Sequence, residues 1–286
     1  MRILDTTSRL RLANLLYATD LSSTAERALP YAMGIARRYG AMLFAAHVIQ
    51  PELLPLMPPA AWATMAEQER EYRERAQQVL ERQLAGVSHE LIFRAGEVWP
   101  VVSEIIAEKQ IDLLILSTHG RKGLQKAILG SAAEEIFRNS PCPVLTVGPD
   151  VSPRTARHVG LTRILYATDF SPESLAGAPY AISLAREHRS NLILFHCIED
   201  GAEVSAMLQT LQELIPFGAD LRSEPICVAE RGSHGEKVLE VAEGHGADML
   251  VLGVPSTKAR LAQKSHRSAL YRIVTQATCP VLTVRG

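Results

Sequence analysis

Asn14-Leu15-Leu16-Tyr17-Ala18-Thr19-Asp20-Leu21-Ser22 recurs, 149 residues further along the chain, as Arg163-Ile164-Leu165-Tyr166-Ala167-Thr168-Asp169-Phe170-Ser171. In each copy a short apolar run, strand-like in length, ends in an Ala-Thr-Asp turn and leads into a helical pattern. The repetition extends outward from this stretch. His47-Val48-Ile49 returns as His196-Cys197-Ile198, Asp112-Leu113-Leu114-Ile115-Leu116 as Asp248-Met249-Leu250-Val251-Leu252, and Cys142-Pro143-Val144-Leu145-Thr146-Val147 as Cys279-Pro280-Val281-Leu282-Thr283-Val284. The anchors keep their order, and the period far exceeds that of a solenoid, so each copy is a complete domain. The chain of 286 residues therefore divides into a domain over 1–149, a domain over 160–286 and a linker at about 150–159, where Ser152 and Pro153 interrupt regular structure.

Within one copy, near-continuous apolar runs over 15–18, 41–48, 90–93, 113–116 and 144–147 read as strands covered on both faces. Helical patterns over 24–39, 98–109 and 131–139 alternate with them. Alternating β and α elements imply right-handed crossovers, giving two tandem doubly wound α/β domains, each with a five-stranded, mainly parallel sheet. A further amphipathic segment over 61–84 reads as a helix packed on its domain, with a lid or partner-binding helix as the other reading. Its counterpart over 199–217 is shorter.

Composition narrows the class. Apolar residues at 47% and charged residues at 21% suit a globular protein, and a net charge of −1 offers nucleic acid or an anionic membrane no global attraction. No run is long enough to span a bilayer, and the first residues lack a secretory pattern, so a cytoplasmic protein is expected. Four scattered cysteines form neither a disulfide framework nor a zinc spacing, and are read as buried reduced thiols.

In an open α/β sheet ligands gather at the carboxyl ends of the strands, where the strand order reverses. Asp20 follows the first strand, Val48 ends the second, and Ser117-Thr118-His119-Gly120 follows the fourth. A basic loop with Arg121, Lys122 and Lys126 then runs to Gly130-Ser131 at a helix start. Exposed amides at a helix N-terminus favour an anion such as phosphate, and glycine admits close approach. The competing reading makes Ser131-Ala132-Ala133-Glu134 a capping box, with Glu134 folded back on the helix start. His47 and His196 read as hydrogen-bonded structural histidines, whereas His119 is placed to touch a ligand. No metal cluster, nucleophile elbow or P-loop pattern is present, and no catalytic residue is assigned.

The spacing Ser117-x2-Gly120-x9-Gly130-Ser131 resembles the Gly-x2-Gly-x9-Gly-Ser/Thr signature of the ATP-binding branch of the universal stress protein family. The Ala-Thr-Asp-Leu-Ser start, the His-Val strand and the Pro-Cys-Pro-Val-Leu-Thr-Val ending resemble the same family, over nearly the whole chain beyond the first dozen residues. The resemblance implies an adenine nucleotide alpha hydrolase-like fold. It also implies that ATP or a related adenine nucleotide, with or without Mg2+, is bound by Ala18, Thr19, Asp20, Val48, Leu116, Ser117, His119, Gly120, Gly130, Ser131 and Ala132. Ser117 departs from the signature's first glycine, a costly exchange if that position needs positive φ.

In the second copy Gly253 keeps the first glycine, Ser256 replaces the second, and aligning Ser268 with Ser131 puts Arg267 at the phosphate turn. That site is expected to be degenerate, despite a loop made more basic by Lys258, Arg260 and Lys264. The family implies pairing through the last strands, either between the repeats as a pseudo-dimer or between chains as a homodimer. The function expected is that of a stress-response protein acting as a nucleotide-dependent sensor or signalling module. The alternatives are a nucleotide-free dimeric scaffold and, less favoured, a very slow ATP hydrolase.

Overall fold

The computed structural model describes residues 10–49, 59–118, 129–151, 160–198, 203–255 and 264–286, with backbone alone for 59–66 and 264–268. The first half runs β1 (Asn14–Ala18), a 3-10 turn (Ala25–Ala28), α1 (Leu29–Tyr39), β2 (Met42–Ile49), α2 (Pro59–Gln83), β3 (His89–Ala95), α3 (Val98–Lys109), β4 (Leu113–Ser117), α4 (Ser131–Asn139) and β5 (Val144–Val147). The second half repeats the plan with β6 (Arg163–Ala167), α5 (Pro172–Leu175), α6 (Ala178–His188), β7 (Asn191–Ile198), α7 (Val204–Glu213), β8 (Ile226–Arg231), α8 (His234–Gly244), β9 (Met249–Val254), α9 (Lys264–Gln276) and β10 (Val281–Arg285).

The ten strands form one sheet in the order β3-β2-β1-β4-β5-β10-β9-β6-β7-β8. Pairing is parallel within each half. The halves meet where β10 runs antiparallel to β5, with Leu282 opposite Leu145. Each half is thus an order 3-2-1-4-5 doubly wound unit that reverses between its first and fourth strands.

Strand residues alternate between two apolar layers. Leu15, Tyr17, Leu43, Ile115 and Leu145 face one layer with α1 and α6, while Leu16, Phe44, Leu114, Leu116 and Val144 face the other with α3 and α4. Both layers run through both halves. Period-2 alternation with both faces covered explains why the sequence shows continuous apolar runs there.

Local signals set the helix ends. Gly40 at φ 62° closes α1, and Gln110 and Arg189, at φ 49° and 53°, close α3 and α6 in the same left-handed conformation. The single helix expected over 24–39 is instead a 3-10 turn followed by α1. Ser22 Oγ accepts from Ala25 N, and Pro30 lies in the first turn of α1, so the chain is nucleated twice.

The 61–84 segment is α2, a helix packed on its own domain. Ala76 and Leu80 are buried, as is Leu84 just beyond its end, while Arg70, Arg73 and Arg75 pair with Glu74, Glu69 and Glu71 on the exposed side. The four cysteines carry free thiols, and burial raises Cys279 to about 12 and pushes Cys142 and Cys227 upward as well. Thiols so shifted stay protonated and unreactive at neutral pH. Among the described residues no helix is long and apolar enough to cross a membrane.

Candidate functional site

The site is built where β1 and β4 run side by side and end. Tyr17 registers with Ile115 across that pair, which places Ala18 and Thr19 beside Leu116 and Ser117. Thr19 N donates to Ala46 O at 2.9 Å, keeping the chain against β2 after β1 has ended. Asp20 then turns the chain: its Oδ1 accepts from Ser22 N at 3.0 Å. The turn forces Leu21 to φ 61°, with its N–H held by Thr19 Oγ1 at 3.0 Å. A non-glycine residue in this region costs about 1 kcal/mol, and such strain gathers at ligand sites.

The floor of the crevice is fixed by buried polar groups. His47 is 4% exposed, and its Nδ1 lies 2.8 Å from the Thr19 carbonyl. A carbonyl only accepts, so Nδ1 donates. Nε2 lies 3.1 Å from the Tyr72 hydroxyl of α2. The tyrosine is a contact that the sequence reading missed, although its helical spacing with Ala76 and Leu80 placed it on the inward face. Tyr17 donates to Ala25 O at 3.0 Å, and burial raises its hydroxyl to about 12. His47 and Tyr17 therefore brace the crevice from behind, and the structural reading of the histidine holds.

Val48 is half-buried and registers with Arg94 of β3. The Arg94 guanidinium is turned to Glu104 and Glu108, so its charge is spent outside the crevice. Leu116 and Ser117 are buried, and Ser117 Oγ donates to Val147 O at 3.2 Å. Ser117 does not have positive φ, so the departure from the signature's glycine carries no backbone strain.

The far wall is the start of α4. Thr118, fully buried, takes the Val147 carbonyl at its N–H and offers its own carbonyl to Gly130 N at 3.0 Å. This closes the loop that leaves β4 and returns to α4. Gly130 is the N-cap at φ −58° and ψ 144°, and Ser131 is the first helical residue. Those angles suit any residue, so glycine is not required here by the backbone. The capping-box reading is overturned. With Gly130 at the cap, Ser131 falls one position too late for its hydroxyl to play that part, and Glu134 Oε1 instead accepts from Tyr271 of the second half at 3.1 Å and from Arg138. Ser131 is exposed and Ala132 half-buried. His119, Gly120, Arg121, Lys122 and Lys126 lie outside the described residues.

The second half differs at five points. Phe170 replaces Leu21 at φ 62° and lies against His196, with ring centroids 4.5 Å apart, where the first half has Tyr72 reaching His47. Gly177, Gly253 and Gly286 replace Ala28, Ser117 and Pro149. A Cβ at Gly253 would overlap the main-chain oxygens of Glu173 and Ser174, and one at Gly286 would lie 2.7 Å from Glu173 Cα. The α5 turn is thus pressed, backbone on backbone, onto the end of β9. Finally, α9 starts at Lys264, so the position equivalent to Ser131 lies inside a helix instead of at its start.

Among the described residues no group of acidic, histidine or cysteine side chains is arranged to hold a metal ion. The family model of the universal stress protein family matches residues 12–148 and again 160–285. A universal stress protein of Methanocaldococcus jannaschii is 28% identical over 132 residues, covering 45% of this chain and 78% of that protein. One of Mycolicibacterium smegmatis is 24% identical over 290 residues, covering 95% of this chain and 96% of its own length. The crystal structure of a universal stress protein from Archaeoglobus fulgidus superposes with a TM-score of 0.70 at 24% identity, over 96% of both chains. With both halves matched in order, the chain belongs to the universal stress protein family and carries two of its domains in tandem.

Proposed function

We propose that the first half, taken as the domain over 1–149, binds ATP or a related adenine nucleotide in the crevice between β1 and β4, and that the second, over 160–286, does not. The observation that carries this reading is the glycine-capped start of α4, held beside the β1–β4 switch point by Thr118. The amides of Ser131, Ala132 and Ala133 open the helix there, and the positive end of the helix dipole favours phosphate oxygens. Asp20, Ala18, Thr19 and Val48 lie at the other side of the same strand ends, suited to the adenine and ribose. The donor set fits the nucleotide. The phosphates would supply the charge that Mg2+ needs, since the described protein residues offer that ion no ligand cluster.

The protein acts as a nucleotide-dependent sensor or interaction module rather than a catalyst. Bound nucleotide stabilises the strained Asp20–Leu21 turn and the α4 start together, and a partner reads the resulting population. The antiparallel pairing of β5 with β10 supports an internal pseudo-dimer as the working unit. Cysteines outside any disulfide, three of the four buried, support a cytoplasmic setting.

Isothermal titration with ATP tests the assignment. One site per chain, lost in Gly130→Arg, is expected. Two equivalent sites would overturn the asymmetry, and a protein that neither binds ATP nor releases nucleotide on extraction would favour the scaffold.

A further inference from the structure

Position 134 of the first half and its repeat counterpart, position 271, meet each other between the halves. The repeat relates Ser131 to Ser268 and Cys142 to Cys279 by one offset, so Tyr271 stands where a second Glu134 would. Two identical halves joined through this seam would set carboxylate against carboxylate. The tandem chain sets a hydroxyl against a carboxylate instead. Tyr271 donates to Glu134 Oε1 at 3.1 Å, and its ring lies against Phe137 with centroids 5.9 Å apart.

The same asymmetry recurs at the other end of α4. Arg285 stands where the first half has Gly148, and it donates to the main-chain oxygens of Phe137 and Ser140. The second half therefore holds α4 of the first at both ends, by residues that break the repeat. Glu134 lies in the first turn of that helix, where a carboxylate is drawn to the exposed amides and the positive end of the dipole. A carboxylate free to fold back there competes with phosphate for the amides of Ser131 and Ala132, and repels its charge. Tyr271, together with Arg138 of α4 itself at 3.4 Å, holds it on the side of the second half.

We propose that Tyr271 and Arg285 are positioning residues for the phosphate end of the nucleotide site, so that the second half sets the affinity of the first. The proposal rests on the nucleotide reading of the first half. Both residues act through α4: Tyr271 by restraining the Glu134 carboxylate, Arg285 by fixing the helix from its C-terminus. Their effect falls on the phosphates and spares the adenine and ribose, which that reading places at Asp20 and Val48.

The test is calorimetric titration of the full chain with ATP and with adenosine, a probe that lacks phosphates. Tyr271→Phe removes the hydroxyl and keeps the ring on Phe137. It is expected to weaken ATP about three- to tenfold and to leave adenosine within about twofold. Tyr271→Glu, which restores the residue of the first half, should lose more, and Arg285→Met should show the same selective loss of ATP. In a Glu134→Ala chain, Tyr271→Phe is expected to leave ATP affinity unaltered, because no carboxylate remains to be held. Equal losses of ATP and adenosine, or a Tyr271→Phe loss that persists beside Glu134→Ala, would reduce the contact to general stability and overturn the proposal. ATP affinity unchanged by Tyr271→Phe would overturn it too, while leaving the nucleotide site standing. A parent chain that neither binds ATP nor releases nucleotide on extraction would overturn the nucleotide reading and this proposal together. Should Arg285→Met fail to fold, or adenosine bind too weakly to titrate, the Tyr271 and Glu134 series with ATP still decides.

Discussion

Arg285, at the end of the last strand of the second half, donates from Nε to the main-chain oxygen of Ser140 at 2.6 Å, at the C-terminus of α4 in the first. The same guanidinium reaches Phe137 O and Pro255 O, so it caps a helix in one half while anchored in the other. The equivalent position in the first half is Gly148, which faces the carbonyls of Val274, Thr275 and Ala277 without a side chain. The capping is one-sided.

Replacing Arg285 by Met keeps the apolar stem and removes the donors. Hydrogen bonds from a charged group contribute about 1.5–3 kcal/mol, and part of this is recovered by solvent at a half-buried site. A loss of about 1–2 kcal/mol in urea unfolding is expected. An unchanged midpoint would show that the cap contributes nothing.

Asp20→Ala is expected to weaken ATP affinity by about tenfold or more, the scale of one charge-assisted hydrogen bond. Asp169→Ala, the same change in the second half, should leave affinity unaltered. Titration calorimetry on both variants, with circular dichroism to confirm folding, reads the contrast directly. Equal losses would reject the first half as the functional one.

Gly253→Ser imitates the first half, where Ser117 stands. The new Cβ collides with the backbone of Glu173 and Ser174, which cannot rotate away as a side chain would. Overpacking of this kind costs about 1–3 kcal/mol. The reverse change, Ser117→Gly, loses only a hydrogen bond to Val147 O and some backbone restriction, about 1 kcal/mol. Thermal unfolding of the two variants should therefore differ clearly, with Gly253→Ser the less stable.

Lowering the pH should destabilise the fold through His188. Burial, with Arg38 nearby, lowers its folded value to about 4, below the ordinary histidine value, so the unfolded chain binds the proton first. Stability contributed by the neutral ring is present above about pH 6.5 and lost as pH falls towards 4. Partial solvation of the ring limits the effect to about 1–2 kcal/mol. His188→Gln should flatten this part of the stability–pH curve, whereas a curve unchanged by the substitution would place the titration elsewhere.

Much of this architecture is written locally in the chain. The spans of α3 and α4 follow from helical periodicity, and the strands from apolar runs whose two faces are both buried. The order of the strands is not local, since it follows from crossovers that no short window contains. The start of α4 shows why a pattern can mislead: Ser131-x-x-Glu134 satisfies a capping box, but the closing bond from Gly130 N to Thr118 O moves the cap back by one residue. Phe170 was visible as a mismatch with Leu21, yet its contact with His196 depends on the left-handed turn that both residues share. Tyr72 needed the return of α2 over β2 before it could meet His47.

The join between β5 and β10 has a consequence for dosage. Two separate chains meeting edge to edge would come apart on dilution, and their sheet would exist only above a threshold concentration. Here the partner edge is tethered at an effective concentration on the order of millimolar, set by the linker rather than by expression. The ten-stranded sheet is therefore as complete in a single molecule as in a crowded cell. One half can also change its turns, laying Phe170 against His196 and a backbone turn against Gly253, without the other half losing its neighbour.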